Sequence, residues 1–151
     1  MDRVNRVKIC FDEGRVMQIG TLHNGRPRVN SVYFVPADDY TYVYWMSEPG
    51  RRHSTDIDQD NRVAAAIAFK TDWPVIGIQF AGTGEVVKND SELETIISKY
   101  NKKYHDAAKG LYERIAAGTN KHLIYRLSVN ELELFDGELI TGGGPVAVAL
   151  S

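Results

Sequence analysis

The sequence predicts a mainly β fold, a six- to seven-stranded antiparallel barrel, closed or nearly closed, with a minor helical part. Three observations lead there. Short runs of alternating apolar and polar residues recur between turn signals. Only one long stretch, from about residue 90, carries the three-four apolar spacing of a helix. At 151 residues the chain is long enough for one domain with a core and too short for two, so 1–151 is read as a single domain. A barrel also removes the strand edges that an open sheet would expose.

The elements follow in order. Residues 2–13 place Val4, Val7, Ile9, Cys10 and Phe11 among charges at roughly helical spacing, with Gly14 as the stop, which predicts a short opening helix. Arg15 to Leu22 reads as a strand. His23-Asn24-Gly25 accepts positive φ and predicts a hairpin to a second strand, Arg28 to Val35, with Pro27 at the strand's edge. A turn at Pro36-Ala37-Asp38-Asp39 returns the chain to a third strand, Tyr40 to Met46, and these three strands are expected to form a meander. A short helix of about residues 50–59 precedes a strand from Arg62 to Phe69, with Val63, Ala65, Ile67 and Phe69 on one face and Ala64, Ala66 and Ala68 on the other. The all-alanine face admits a close neighbour: the preceding helix, a partner subunit or a ligand ring. Val75 to Lys88 reads as a long strand with a bulge or bend at Gly82 and Gly84. Asp90 or Ser91 is the expected cap of an amphipathic helix carrying Leu93, Ile96, Ile97, Tyr100 and Tyr104, and Leu111, Tyr112 and Ile115 continue it as a second helical piece. His122 to Leu127 and Glu131 to Phe135 are the last strands. The barrel thus covers 15–137 with a helical insertion at about 90–117, and the Gly-rich segment 138–151 reads as a flexible tail.

Composition narrows the function. A formal net charge of −2, with 18 basic and 20 acidic residues spread along the chain, makes no general field for nucleic acid or an anionic membrane. A lone cysteine, Cys10, excludes an intrachain disulfide and any two-cysteine metal or redox motif, and fits a reducing cytoplasm. The first residues lack an apolar leader and no window is long enough to span a bilayer, so a soluble, unexported protein is expected. The four histidines lack paired zinc spacing, so no structural metal is expected, and no Ser-His-Asp or Cys-His arrangement emerges from spacing. No catalytic residue is assigned. The chemistry falls to a borrowed cofactor.

The chemical centre of the sequence is the run from Tyr40 to Phe69. Arg51, Arg52 and His53 arrive just after Pro49-Gly50, where a helix begins, so cationic side chains and backbone N–H groups converge on one small volume. Cations at a helix N-terminus oppose its dipole by on the order of 0.3–1 kcal/mol each when exposed, and a bound phosphate offsets that. Without a ligand the same residues form a solvated helix start. By residue type alone Trp45 is more often barrel core than cofactor wall, but Trp45, Met46 and Ser47 lie just before the turn, where a flat ring joined to the phosphate would rest. Gln79 in Ile78-Gln79-Phe80 is a polar side chain inside an apolar strand; its amide needs partners, either ring atoms or backbone. The segment outlines a cradle for flavin mononucleotide (FMN).

Order and spacing of these elements resemble the pyridoxamine 5'-phosphate oxidase-like, FMN-binding split-barrel superfamily over about residues 15–137. The resemblance rests on Gly25-Arg26-Pro27, Trp45-Met46-Ser47, Arg51-Arg52-His53 and Asp60-Asn61-Arg62-Val63, where arginine replaces the family's proline after Asn61. Ile78-Gln79-Phe80 and the Arg-His-Ser turn are most similar to a small bacterial branch. The resemblance implies that Arg52 and His53 occupy the phosphate-binding Arg-Lys positions and that Ser31, Val32 and Tyr33 lie on the strand whose backbone faces the flavin. His53 stands for lysine, and a neutral imidazole offers one donor and no fixed charge. Tyr125-Arg126-Leu127-Ser128 and Glu133-Leu134-Phe135-Asp136-Gly137 are similar to the oxidase's last strands, but its Arg-Leu-His-Asp-Arg substrate segment is missing after Gly137. The expected protein is therefore a homodimeric flavoprotein with FMN between two subunits and Phe135 reaching the partner's ring. It acts as an oxidoreductase on a small molecule, without pyridoxamine phosphate oxidase activity. The alternative is a flavin or haem carrier or sensor of the same fold.

Overall fold

The computed structural model describes residues 1–47, 50–105 and 123–150. Helix α1 (Arg3–Glu13) is capped by Asp2, whose carboxylate accepts the Asn5 N–H at 2.8 Å, and it buries Val7, Cys10 and Phe11. Gly14 ends it as predicted because nothing larger fits: a Cβ there would lie 2.4 Å from the Cys10 carbonyl oxygen and 2.8 Å from Ile67. Strands β1 (Val16–His23) and β2 (Arg26–Tyr33) form the predicted hairpin, and Asn24 and Gly25 both take positive φ, 50° and 76°, as a two-residue turn requires. Then come β3 (Val35–Pro36), β4 (Tyr42–Ser47), α2 (Arg52–Gln59), β5 (Arg62–Lys70), β6 (Ile76–Val86), α3 (Asp90–Lys103), β7 (Leu123–Ser128), β8 (Asn130–Asp136) and β9 (Val146–Ala147). The predicted helical piece at Leu111, Tyr112 and Ile115, and His122, lie outside the described residues.

The sheet is mainly antiparallel and curled, in the order β2-β1-β5-β6-β7-β4-β3, with β8 on β6 and β9 on β8. The expected meander holds only at its turn: Val35 and Pro36 split off as β3 and pair with Tyr44 and Val43 of β4, whereas β2 stays on β1 and the other edge of β4 pairs with β7 at the far end. Long strand β6 makes this possible, pairing with β5 from Ile76 to Thr83 and with β8 from Ile76 to Ala81, and then with β7 from Gly84 to Val86. At the crossing stands Gly82, where a Cβ would be 2.0 Å from the Ser128 carbonyl oxygen. The two ends of the sheet meet at a seam that α3 closes. Tyr100 Oη lies 2.8 Å from the Tyr33 carbonyl oxygen and 3.1 Å from that of Tyr44, so one hydroxyl proton serves both edges. Tyr104 Oη accepts the Phe34 N–H at 3.0 Å.

Two further expectations are corrected. Asn89, not Asp90 or Ser91, caps α3, its side chain accepting the Glu92 N–H at 2.9 Å. The stretch after Gly137 is not a loose tail: Asp136 accepts the N–H groups of Glu138 and Leu139 and donates its own to the Gly143 carbonyl at 2.6 Å, Ile140 is buried, and β9 pairs with β8. Arg6 of α1 comes within ion-pair range of Asp136 (3.4 Å) and Glu138 (3.1 Å), which ties the stretch to the first helix.

Candidate functional site

A cavity of about 550 Å³ opens where β2, the end of β4, the start of α2 and Tyr100 of α3 converge. That is an ordinary size for a small-molecule site. It brings together eight of the residues singled out from sequence: Ser31, Val32 and Tyr33 from β2, Met46 and Ser47 from β4, and Arg51, Arg52 and His53 from the turn into α2. The convergence has a local cause. β4 carries the apolar run Val43-Tyr44-Trp45 into the core and ends at Ser47, and α2 starts at Arg52, so the cations must stand at the mouth of the strand. Arg51 makes no side-chain cap for α2, leaving a helix end suited to an anion.

The cations differ in role. Arg52 is exposed and lies across β2, its Nη2 donating to the Val29 carbonyl at 3.4 Å and to Asn30 Oδ1 at 3.5 Å. His53 is buried and turns inward, its Nε2 2.6 Å from Ser47 Oγ, which lies 2.8 Å from Ser54 Oγ. Burial first, then the nearby Arg51 charge, lowers the His53 pKa from 6.5, so the imidazole is held neutral. Behind them Asp56, 1 % exposed, accepts from Thr21 Oγ1 at 3.0 Å, faces His23 Nδ1 at 3.0 Å and lies 3.7 Å from Arg28 Nε, pinning α2 to the β1–β2 hairpin.

Three sequence-predicted residues stand elsewhere. Trp45 is fully buried and stacked on Tyr125 at 5.7 Å, so it is core rather than cavity wall. Gln79 is exposed, correcting the expected buried amide, and its Nε2 donates to Glu133 Oε2 at 2.9 Å. Phe135 covers Gly77 on β6, where a Cβ would be 2.2 Å from its ring. Gln79 borders a second, open groove of about 630 Å³ over Gly20, Ala64 and Ala66. The alanine face is therefore not covered by the preceding helix, since α2 packs Ile57 against Val63 on the core side.

A sequence profile of the pyridoxamine 5'-phosphate oxidase family matches residues 5–135. The chain belongs to that family in the broad, split-barrel sense. No curated protein matches it significantly. Solved structures share the family fold at low identity. A protein of unknown function from Agrobacterium tumefaciens superimposes with a TM-score of 0.72 at 18% identity, over 92% of this chain and 58% of that one, so this chain spans little more than half its length. The heme storage protein of Vibrio cholerae gives 0.70 at 18% identity, over 87% and 94% of the two chains. A FAD-binding protein from Mesorhizobium loti gives 0.66 at 16% identity, over 87% and 92%.

Within this split-barrel frame, sequence reasoning missed Asn30 and Tyr100 at the cavity and Asp56 behind it. Tyr100 was visible only as an apolar position of the amphipathic helix. Asn30 gave no signal beyond its place beside Ser31. Asp56 lay in plain sight within α2, but its partners on β1 and β2 are more than twenty residues away in sequence. The segment after Gly137, with β9, lies beyond the family match.

Proposed function

We propose that this chain binds FMN in the β2–β4–α2 cavity and performs redox chemistry on a small molecule. The observation that carries the reading is the meeting of eight expected cofactor contacts around one cavity, with Arg52 on its rim and the start of α2 beside it. The residues present fit the group. Arg51 and Arg52 answer a phosphate monoester, the Ser31–Tyr33 stretch offers edge-strand backbone to a flat ring, and Met46 offers a polarizable wall. When bound, the flavin supplies the electron and hydride exchange. This chain's own residues bind, orient and exclude water.

The role of His53 departs from a lysine's. Its Nε2 is engaged with Ser47, so it shapes the end of β4 and leaves the charge pairing to the arginines. The same engagement disfavours His53 as an axial ligand to haem. Pyridoxamine phosphate is not the substrate in this reading, because the only lysine or arginine side chains among the described residues lining the cavity, Arg51 and Arg52, are taken by the cofactor's own phosphate. A homodimer completes the site: the open Gly20–Ala64–Ala66 groove seats a second copy, which brings the partner's outer face, with Gln79 and Phe135, toward the cavity. The cytoplasm is the proposed compartment, and among the described residues no helix is long and apolar enough to cross a membrane.

The test is the absorption spectrum of the purified protein with mass spectrometry of the small molecule released on denaturation. A flavin spectrum and the mass of FMN are expected, with bleaching by a nicotinamide donor and recovery with an acceptor. A Soret band, or a flavin that no donor bleaches, contradicts the respective part of the reading.

A further inference from the structure

Among the described residues lining the cavity, Asn30 carries a polar atom that the protein leaves unused: Nδ2 is shielded from solvent and has no hydrogen-bond partner. A buried amide N–H without an acceptor is costly and uncommon. Turning the amide over does not help, because Arg52 Nη2 lies 3.5 Å from Oδ1, and a flip would set donor against donor. Backbone freedom does not relieve it either, since Asn30 is paired with Ile19 inside the β1–β2 hairpin. The two Arg52 contacts, 3.4 Å to the Val29 carbonyl and 3.5 Å to Asn30, are at the long limit for hydrogen bonds. The guanidinium is thus lightly held directly beside an unsatisfied donor.

Resting on the FMN reading above, we propose that Asn30 is a second anchor for the cofactor's anionic group. Its Oδ1 orients the Arg52 guanidinium, and its Nδ2 donates to an oxygen of the phosphate that Arg52 binds. Moving off the Val29 carbonyl toward the anion while Asn30 Oδ1 still accepts from it, Arg52 opens Asn30 Nδ2 to the same ligand, so the orphaned donor gains an acceptor only in the complex. A carboxylate at this position would hold Arg52 more firmly but repel the phosphate, and a smaller side chain would reach neither.

The experiment titrates FMN and riboflavin into the wild type, Asn30→Ala and Asn30→Asp, following flavin fluorescence, and records the melting temperature of each ligand-free protein. Asn30→Ala is expected to weaken FMN about tenfold and riboflavin by less than about twofold, with the ligand-free melting temperature unchanged or raised because a buried unpaired donor is gone. Asn30→Asp is expected to weaken FMN further while still folding. FMN affinity unchanged in Asn30→Ala, or an equal loss for both flavins, overturns the proposal; so does a loss of FMN affinity that follows a lowered melting temperature, which marks a structural role. Should Asn30→Ala fail to fold, Asn30→Asp decides, and FMN affinity at the wild-type level overturns the proposal. A wild type that binds neither flavin overturns the FMN reading itself, an outcome distinct from a variant that matches a flavin-binding wild type.

Discussion

His53 sits where a phosphate contact is expected, yet its ring faces Ser47 at 2.6 Å. Its pKa is lowered by burial and by Arg51, so the folded state prefers the neutral ring. As pH falls below 6.5 the unfolded chain takes up the proton first, stability drops, and the loss levels off only once the folded imidazole is also protonated. Urea midpoints of wild type and His53→Asn at pH 5 and 7 check this: the wild type is expected to lose more stability on acidification than the variant. Cys10 behaves in the opposite sense, since burial raises its thiol to about 12, and it is expected to resist alkylation at pH 8 until the protein is denatured. At this scale the sequence was legible where a residue's type and its chain neighbours determine its surroundings. Arg51, Arg52 and Ser47 are such cases. It was not legible where one strand-face choice decides, as for Trp45, which turns to Tyr125 in the core, or Gln79, which turns to Glu133 outside.

Elements built from local signals formed as predicted, the Asn24-Gly25 hairpin and α1 among them. Pairing order was not readable, because β4 finds β7 some eighty residues on, and no local pattern encodes which edge a strand joins. The structure shows what enforces the choice: β6 must pass from one half of the sheet to the other at Gly82. Gly82→Ala would drive a Cβ into the Ser128 carbonyl and is expected to destabilise by about 1–3 kcal/mol or more in chemical denaturation. Helix α2 is held in place by Asp56, whose removal would leave Thr21 and His23 without their partner. Asp56→Ala is expected to lower stability by about 1–3 kcal/mol and to weaken flavin binding through a displaced Arg52, measured by denaturation and titration on the same sample. A stability loss with flavin affinity intact would show that the clamp does not position the cation.

At the scale of the molecule, the described residues set a cavity with a cationic rim apart from an open small-residue groove on the sheet's outer side. Gly20, Ala64 and Ala66 let a second sheet approach closely, and Val29, 64 % exposed, adds apolar area. Ala66→Glu places a charge in that groove, and light scattering is expected to show a dimer become a monomer with reduced flavin content; a variant that stays dimeric moves the interface elsewhere. The central claim is that Arg52 and the start of α2 receive an anionic cofactor, and the most direct measurement is FMN titration of wild type against Arg52→Ala, with folding checked by circular dichroism. Losing one charge-assisted contact costs roughly 1.5–3 kcal/mol, so a ten- to hundredfold weaker affinity in a folded variant is expected. Equal FMN affinity in the two proteins, or none in either, would contradict it.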